Sequence, residues 1–226
     1  GVAGFFSLTL SCASSRATAR AHILPRASSF DSTTSFLFFV PAGAVTATPN
    51  PRAELRKTLR GKREQFALSA GYGAAEAALA GHLTQVITQL EPETLGLYAS
   101  IRSEFNAVVA LGADPACDPL PWALPFCRRE PREMDYRLWD RSAKMVPDEC
   151  GIASAAGAVV VPDVLLVPCV GFAAGNYRLG YGGGYFDRYL ARHPHVTTVG
   201  VAWSFMRLSE AEYTPQPHDI PLTLIV

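Results

Sequence analysis

The stretch RLGYGGGYFDRYL, residues 178–190, places four glycines within five residues, and two aromatic residues and an acid follow them. Shortly before it, residues 164–167 read VLLV, a continuous apolar run that Pro168 ends and that is typical of a buried central strand. After the glycines the pattern predicts a helix from about Gly184 to Arg192. A buried strand, a glycine-rich loop and a helix in this order indicate an open α/β sheet.

The remainder of residues 49–226 alternates between helical and strand patterns. Pro51 suits the first position of a helix that reads PRAELRKTLRGKREQFA, and a second helix is predicted from about Ala74 to Leu90. Further strands are predicted at 94–99, 121–126, 134–139, 197–203 and 222–226, and a loop at 153–158. We therefore expect one three-layer α/β domain over 49–226, with a mostly parallel Rossmann-like sheet and helices on both faces.

Composition narrows the classes of function. The formal net charge is zero, which disfavours nucleic-acid binding, and no apolar run is long enough to span a bilayer. The five cysteines form no CxxC pair, so we expect reduced thiols. We expect His82 to be a packed helix residue. We expect Trp122, Trp139 and Trp203 to form core or pocket wall.

Residues 1–48 differ from the rest of the chain. They are rich in Ser, Thr and Ala and contain three arginines but a single acid, Asp31. This composition predicts an organellar targeting leader, for a mitochondrion or a plastid. One alternative is a secretory-type signal. Another is a disordered or wrongly assigned extension, and if the leader is wrongly assigned the protein would be cytoplasmic.

The glycine run suits phosphate binding. Glycines allow backbone N–H groups to close on a phosphate, and the following helix N-terminus adds partial positive charge. Arg178 can hold phosphate oxygens, and Asp187 beside phosphates favours a Mg²⁺ ion between them. The run is neither a Walker A loop nor a dinucleotide fingerprint, because no Gly-Lys-Ser/Thr follows and position 185 is Tyr185. The alternative is a tight turn without a ligand, although four clustered glycines exceed what one turn needs.

The segment from Arg178 to Asp187 resembles the signature of the 5-formyltetrahydrofolate cyclo-ligases, also called 5,10-methenyltetrahydrofolate synthetases. Further segments resemble the family in the same order over about residues 51–226, namely 52–56 (RAELR), 97–104 (LYASIRSE), 163–168 (DVLLVP), 171–172 (GF), 198–202 (TVGVA) and 218–221 (HDIP). The resemblance implies ATP- and Mg²⁺-dependent conversion of 5-formyltetrahydrofolate to 5,10-methenyltetrahydrofolate, with phosphorylation of the formyl oxygen and release of ADP and phosphate. It also implies a monomer without nucleic-acid or membrane partners.

The resemblance also assigns roles to residues. Tyr185 and Arg178 would be catalytic, and Asp187 and Asp219 would bind Mg²⁺. ATP would be bound by Arg52, Ala53, Glu54, Leu55, Arg56, Arg178, Leu179, Gly180, Tyr181, Gly182, Gly183, Gly184, Tyr185 and Phe186. The formylfolate would be bound by Ala99, Glu104, Tyr181, Gly182, Gly183, Gly184 and Tyr185.

Some of these residues have alternative interpretations on sequence alone. The basic residues at 52–56 could be a solvated helix face, Glu104 a surface acid, and Asp219 a turn cap before Pro221. The chain departs from the common family pattern at Arg52, where Lys is usual, at Phe186, where a second Tyr is usual, and at Ala99, which is small. Two other functions stay open: a divergent, thiamine-associated paralog, and a nucleotide-binding regulatory module without turnover.

Overall fold

The computed structural model of the protein describes residues 50–226. The predicted leader, residues 1–48, lies outside the described residues, as does Cys12. None of the helices within 50–226 combines the length and apolar character needed to span a membrane. The cysteines of this part of the chain are free thiols, and most of them are buried: Cys117, Cys127, Cys150 and Cys169.

The helices begin and end where local chemistry favours it. The Asn50 side chain accepts a hydrogen bond of 3.0 Å from the Arg52 N–H, and Pro51 fills the first helical position. Glu91, with φ of 45°, ends the second helix in the left-handed conformation just before Pro92. The helices are α1 (Pro51–Ala67), α2 (Tyr72–Leu90), α3 (Ala107–Gly112) and α4 (Tyr185–Arg192), with short 3₁₀ turns at Pro115–Cys117, Ala174–Asn176 and Ser204–Met206.

The strands form one large sheet and two small ones. Their bounds are β1 (Leu95–Gly96), β2 (Trp122–Cys127), β3 (Met134–Trp139), β4 (Val146–Pro147), β5 (Ala153–Ser154), β6 (Val159–Val160), β7 (Val164–Pro168), β8 (Gly171–Phe172), β9 (Arg178–Leu179), β10 (Thr197–Val201) and β11 (Leu224–Ile225). The central sheet has the order β11-β10-β7-β1-β2-β3-β6, and β4-β5 and β8-β9 pair separately. All pairings from β11 to β2 are parallel, whereas β3 runs antiparallel to both of its neighbours.

The two faces of the sheet bury different sets of side chains. Val164 and Leu166 of β7 join the cluster that contains buried residues of α1, α2 and α3. Leu165 and Val167 point to the other face and join Tyr189 of α4. This arrangement confirms the predicted three-layer α/β fold with a mostly parallel sheet and helices on both faces.

The centre of the sheet requires a glycine. A Cβ atom at Gly96 of β1 would lie 2.2 Å from Leu165 Cδ2, 3.0 Å from Tyr136 Cε1 and 3.1 Å from Pro162 Cγ. The neighbouring strands β2 and β7 hold β1 on both sides, so no larger residue fits without moving the core.

Several predicted bounds were wrong. The strand predicted over 94–99 is regular only at Leu95–Gly96, and the loop predicted over 153–158 begins with β5. His82 is exposed, contrary to the prediction, because Leu79, Leu83 and Ile87 of α2 carry its buried stripe and His82 lies beside it. Trp122 and Trp203 are buried, as predicted, and Trp139 is half-buried.

Candidate active site

A cleft of about 670 Å³ opens near the carboxyl ends of the parallel strands β1 and β7. Its wall combines the start of α1, the segment after β1, and the whole glycine-rich stretch from Arg178 to Asp187. The carboxyl ends of parallel strands are the usual binding edge of an open α/β sheet. The volume lies within the range of small-molecule sites.

The cleft brings together most of the residues that the sequence singled out. Among the described residues, those that line it are Arg52, Arg56, Ala99, Glu104, Arg178, Leu179, Gly180, Tyr181, Gly182, Gly183, Gly184, Tyr185, Phe186, Asp187 and Asp219. Ala53, Glu54 and Leu55 do not line it. Ala53 and Glu54 are exposed, and Leu55 packs against the core, because these positions point away on the turn between Arg52 and Arg56.

The glycine loop needs its glycines for conformation and for space. Gly182 has φ of 93°, and a Cβ there would lie 3.2 Å from Arg56 Cζ. Gly184 has φ of 66° and is the N-cap of α4, where no side chain caps the helix. The first N–H groups of α4 are therefore left for another acceptor at the cleft.

Two arginines of α1, Arg52 and Arg56, line the cleft. The Arg56 Nε donates a hydrogen bond of 2.7 Å to the carbonyl oxygen of Gly180, which docks the helix on the loop. Arg52 donates to Asp219 through the two terminal nitrogens of its guanidinium, Nη1 to Oδ1 at 3.2 Å and Nη2 to Oδ2 at 2.7 Å. The Arg52 guanidinium carbon also lies 4.7 Å from the centre of the Tyr213 ring.

Asp219 is strongly held. Besides Arg52, it accepts a hydrogen bond of 2.7 Å from the Gln216 N–H, and the Tyr213 hydroxyl lies 3.1 Å from Oδ2. Burial alone would raise the pKa of Asp219, but the hydrogen bonds from Arg52 and Gln216 outweigh it and the pKa is lowered. Asp219 is therefore ionised at neutral pH, with both oxygens engaged.

A second arginine–aspartate pair lies within the glycine-rich stretch. The Arg178 Nη2 donates a hydrogen bond of 3.0 Å to Asp187 Oδ1. The Arg178 side chain is 4% exposed, whereas that of Asp187 is 21% exposed, so the aspartate is the member of the pair that solvent reaches. The Nε of Arg178 is buried without a hydrogen-bond partner among the described residues. An anionic ligand in the cleft could therefore find a donor in Arg178.

The far side of the cleft carries a buried acid. Glu104 is 7% exposed, and its Oε2 accepts a hydrogen bond of 2.8 Å from the Ile101 N–H. Its Oε1 has no hydrogen-bond partner among residues 50–226. Burial raises the pKa of Glu104 above its ordinary value. A buried acceptor without a partner is suited to a ligand that has an N–H group to donate.

Tyr185 is the first residue of α4, and its side chain lines the cleft. Its hydroxyl donates a hydrogen bond of 3.0 Å to the carbonyl oxygen of Arg128 and lies 3.2 Å from the Cys150 sulfur. The contact with Cys150 and burial raise the pKa of Tyr185 to about 12. The hydroxyl is therefore protonated at neutral pH and can act as a hydrogen-bond donor.

The sequence prediction missed several polar residues of the cleft region. Tyr213 and Asp148 line the cleft, and Asp148 accepts backbone hydrogen bonds from Cys127, Cys150 and Ile152. Neither residue lies in a periodic pattern, so no signal could have found them. Arg63, which reaches Tyr181, could have been found, because it lies seven residues after Arg56 on the same face of α1.

Part of the chain is similar in sequence to curated proteins. No family model matches the chain. Over 65 residues the chain is 42% identical to the 5-formyltetrahydrofolate cyclo-ligase of Mycoplasma pneumoniae and 37% identical to that of Mycoplasma genitalium. Each match covers 28% of this chain, and the chain spans only 38% of the length of these curated relatives.

Solved structures extend the similarity to most of the described residues. A 5,10-methenyltetrahydrofolate synthetase from Mycoplasma pneumoniae has a TM-score of 0.58 and 24% identity, covering 77% of this chain and 96% of its own, and shows the shared fold. The synthetase from Aquifex aeolicus has a TM-score of 0.60 and 26% identity, covering 78% of this chain and 89% of its own. The relatives and structural neighbours together support the family that the sequence resembles.

Proposed function

We propose that this chain, a relative of the 5-formyltetrahydrofolate cyclo-ligases, is an enzyme of the same kind. It converts 5-formyltetrahydrofolate to 5,10-methenyltetrahydrofolate and consumes ATP, releasing ADP and phosphate. The observation that carries the proposal is the single cleft of about 670 Å³, which combines a glycine-rich anion loop with a buried, unpartnered carboxylate oxygen at Glu104. One cavity thus offers donors for phosphates and an acceptor for a second, N–H-bearing substrate.

The phosphates of ATP would bind at the glycine loop. The uncapped N-terminus of α4 supplies backbone N–H groups, and Arg56, docked on Gly180, supplies positive charge on the opposite side. The buried Arg178 has an unpartnered Nε that could serve a phosphate oxygen. These groups stabilise negative charge that moves during phosphoryl transfer.

The residues present fit a magnesium ion. Arg178 occupies Oδ1 of Asp187 and leaves its other oxygen free of described partners, so Asp187 can bind a cation without breaking the pair. Asp219 could join only if Arg52 moved to a phosphate, because both Asp219 oxygens are engaged. The described residues contain no group of three or more His, Cys, Asp or Glu that could hold a metal. A Mg²⁺ ion at Asp187 would take most of its ligands from phosphate oxygens and water. Bound there, Mg²⁺ would neutralise phosphate charge.

The proposed chemistry has two steps. The formyl oxygen attacks the γ-phosphorus, and the bond from that phosphorus to ADP breaks. The neighbouring folate nitrogen then attacks the activated carbon, the carbon–oxygen bond breaks to release phosphate, and the nitrogen loses its proton. An amide oxygen is a weak nucleophile, so positioning and charge stabilisation must supply most of the acceleration. Arg178 would stabilise the transferring phosphoryl group and Tyr185 would orient the folate.

The folate would bind between Ala99, Glu104 and the loop residues Tyr181 and Tyr185. Glu104 Oε1 would accept a hydrogen bond from an N–H group at the edge of the pterin. This oxygen has no donor among the described residues, so the ligand would supply it. Ala99 leaves space beside it because of its small side chain.

The experiment is a turnover assay with the full chain. Purified protein, 5-formyltetrahydrofolate and Mg²⁺ are mixed with and without ATP, and the near-ultraviolet absorbance of the methenyl product is followed. We expect an ATP-dependent rise in wild type, loss of that rise in Asp187→Ala, and no change in Lys57→Met, an exposed residue of α1. A folded wild-type protein that binds ATP without any rise would contradict the proposal and favour a nucleotide-binding module.

We also propose that residues 1–48 direct the protein to a mitochondrion or plastid. Their excess of arginine over acid and their Ser, Thr and Ala content support a transit segment. A fluorescent protein fused after residue 48 should enter one organelle, whereas a fusion that lacks these residues should stay in the cytoplasm. Diffuse cytoplasmic signal from both fusions would refute this proposal.

A further inference from the structure

Arg63 is a buried cation in the last turns of α1, close to but not lining the cleft of about 670 Å³. Its side chain is 3% exposed. A guanidinium buried to this extent costs free energy unless its donors are satisfied, so its partners indicate why it is there. It lies eleven residues after Arg52 and seven after Arg56, on the same face of the helix.

The three nitrogens of Arg63 reach three residues of the folate side of the cleft. Nη2 donates a hydrogen bond of 2.6 Å to the Tyr181 hydroxyl, and Nε donates one of 3.2 Å to the Ser103 hydroxyl. Nη1 lies 3.9 Å from Glu104 Oε1, within ion-pair distance but too far for a hydrogen bond. One side chain thus ties α1 to the glycine loop and to the segment that precedes α3.

The geometry leaves the Glu104 acceptor available. Oε2 is fixed by the Ile101 N–H at 2.8 Å, while Oε1 faces the Arg63 charge without accepting a hydrogen bond from any described residue. Burial raises the pKa of Glu104, and the charge of Arg63 opposes that rise. One oxygen of the Glu104 carboxyl group is thus fixed by the backbone, and the other is open to a ligand donor.

We infer that Arg63 is a positioning residue for the folate: it holds Tyr181, Ser103 and Glu104 in one arrangement without touching the substrate. The inference rests on the proposed function and adds a residue to it. The planar fork of arginine matters here, because a lysine ammonium could not reach the Tyr181 and Ser103 hydroxyls and the carboxylate from one position. The effect should fall on the folate more than on ATP, since Ser103 and Glu104 belong to the folate side.

The test compares Michaelis constants of the full chain for the two substrates. We expect Arg63→Met to raise the KM for 5-formyltetrahydrofolate about tenfold or more, with the KM for ATP within about twofold of wild type. Arg63→Lys should raise the folate KM by a smaller factor, because it keeps the charge and loses the fork. Lys57→Met, on the exposed face of the same helix, should change neither constant.

The outcomes separate the inference from the proposed function. An equal rise in both constants, or a folate KM within about twofold of wild type, overturns the positioning role and leaves the proposed function intact. If Arg63→Met does not fold, Ser103→Ala decides: it removes the Nε acceptor and should raise only the folate KM, and an unchanged folate KM overturns the inference. A folded wild type without turnover overturns the proposed function and the inference together.

Discussion

Substitution of Gly96 by alanine tests how tightly the centre of the sheet is packed. The added methyl would meet Leu165 at 2.2 Å, Tyr136 at 3.0 Å and Pro162 at 3.1 Å, and the first of these is a contact that folded proteins do not sustain. Leu165 and Tyr136 are fully buried, so neither side chain can swing into solvent to make room. The parallel partners β2 and β7 also prevent β1 from moving sideways.

We expect Gly96→Ala to lower the free energy of unfolding by about 2 kcal/mol, as overpacking in a close-packed core does. For a chain of this length that corresponds to a fall in the melting temperature of about 4 to 8 °C. The assay is thermal unfolding followed by circular dichroism at fixed protein concentration.

The matched control is Gly81→Ala in α2. Gly81 is exposed, and a Cβ there would meet nothing within 4 Å. Alanine should stabilise the helix by about 0.5 to 1 kcal/mol, because it restricts the unfolded chain and has the higher helix propensity. A Gly96→Ala protein that melts at the wild-type temperature, in an experiment that detects the Gly81→Ala rise, would refute the packing argument.

Three further predictions concern the cleft. The lowered pKa of Asp219 means that its stabilising contribution is complete above its ordinary value of 3.8 and is lost as the pH falls through the folded value. The melting temperature of Asp219→Asn should therefore lie well below that of wild type at about pH 7 and approach it as the pH falls below 3.8, and a pH-independent difference would contradict this. Gly182→Ala forces a side chain into a φ of 93° and against Arg56. On the proposed function the KM for ATP should therefore rise about fivefold or more, measured by initial rates, and an unchanged KM would argue against the loop geometry. Tyr213→Phe keeps the ring beside Arg52 and removes the hydroxyl that lies 3.1 Å from both the Arg178 carbonyl oxygen and Asp219 Oδ2. Urea unfolding should therefore show a loss of about 1 kcal/mol, and equal stability would show that the contacts of this hydroxyl add nothing.

Much of the fold could be predicted from the sequence because local patterns agree with the tertiary structure. The alternation in Met134–Trp139 gave the bounds of β3 correctly, and the run at 164–167 marked the central strand β7, which extends through Pro168. The predicted ends of strands were wrong where tertiary contacts determine them. β1 is regular only at Leu95–Gly96, and Tyr98 and Ala99 just after it line the cleft, a placement that no local pattern records.

The candidate site was predictable where residues cluster in the sequence and not where they meet only in space. The stretch from Arg178 to Asp187 lines the cleft as one segment, so its composition alone indicated a ligand loop. The partners of these residues lie far away in the chain, as Arg52 and Asp219 do at a separation of 167 residues. The prediction that His82 is packed was wrong for a related reason. Helical spacing locates an apolar stripe, but which residues lie at the edge of the stripe depends on the neighbouring elements.

The two arginine–aspartate pairs have a consequence for how a charged ligand arrives. Among residues 50–226, three arginines and five acidic residues line the cleft, so this part of the lining has no excess of positive charge that would draw a polyanion from a distance. The arginines are Arg52, Arg56 and Arg178, and the acids are Glu104, Asp148, Asp187, Glu212 and Asp219. Attraction over a Debye length requires such an excess. Association with a nucleotide should thus depend only weakly on ionic strength, and recognition begins at contact, when a phosphate competes with an aspartate for an arginine.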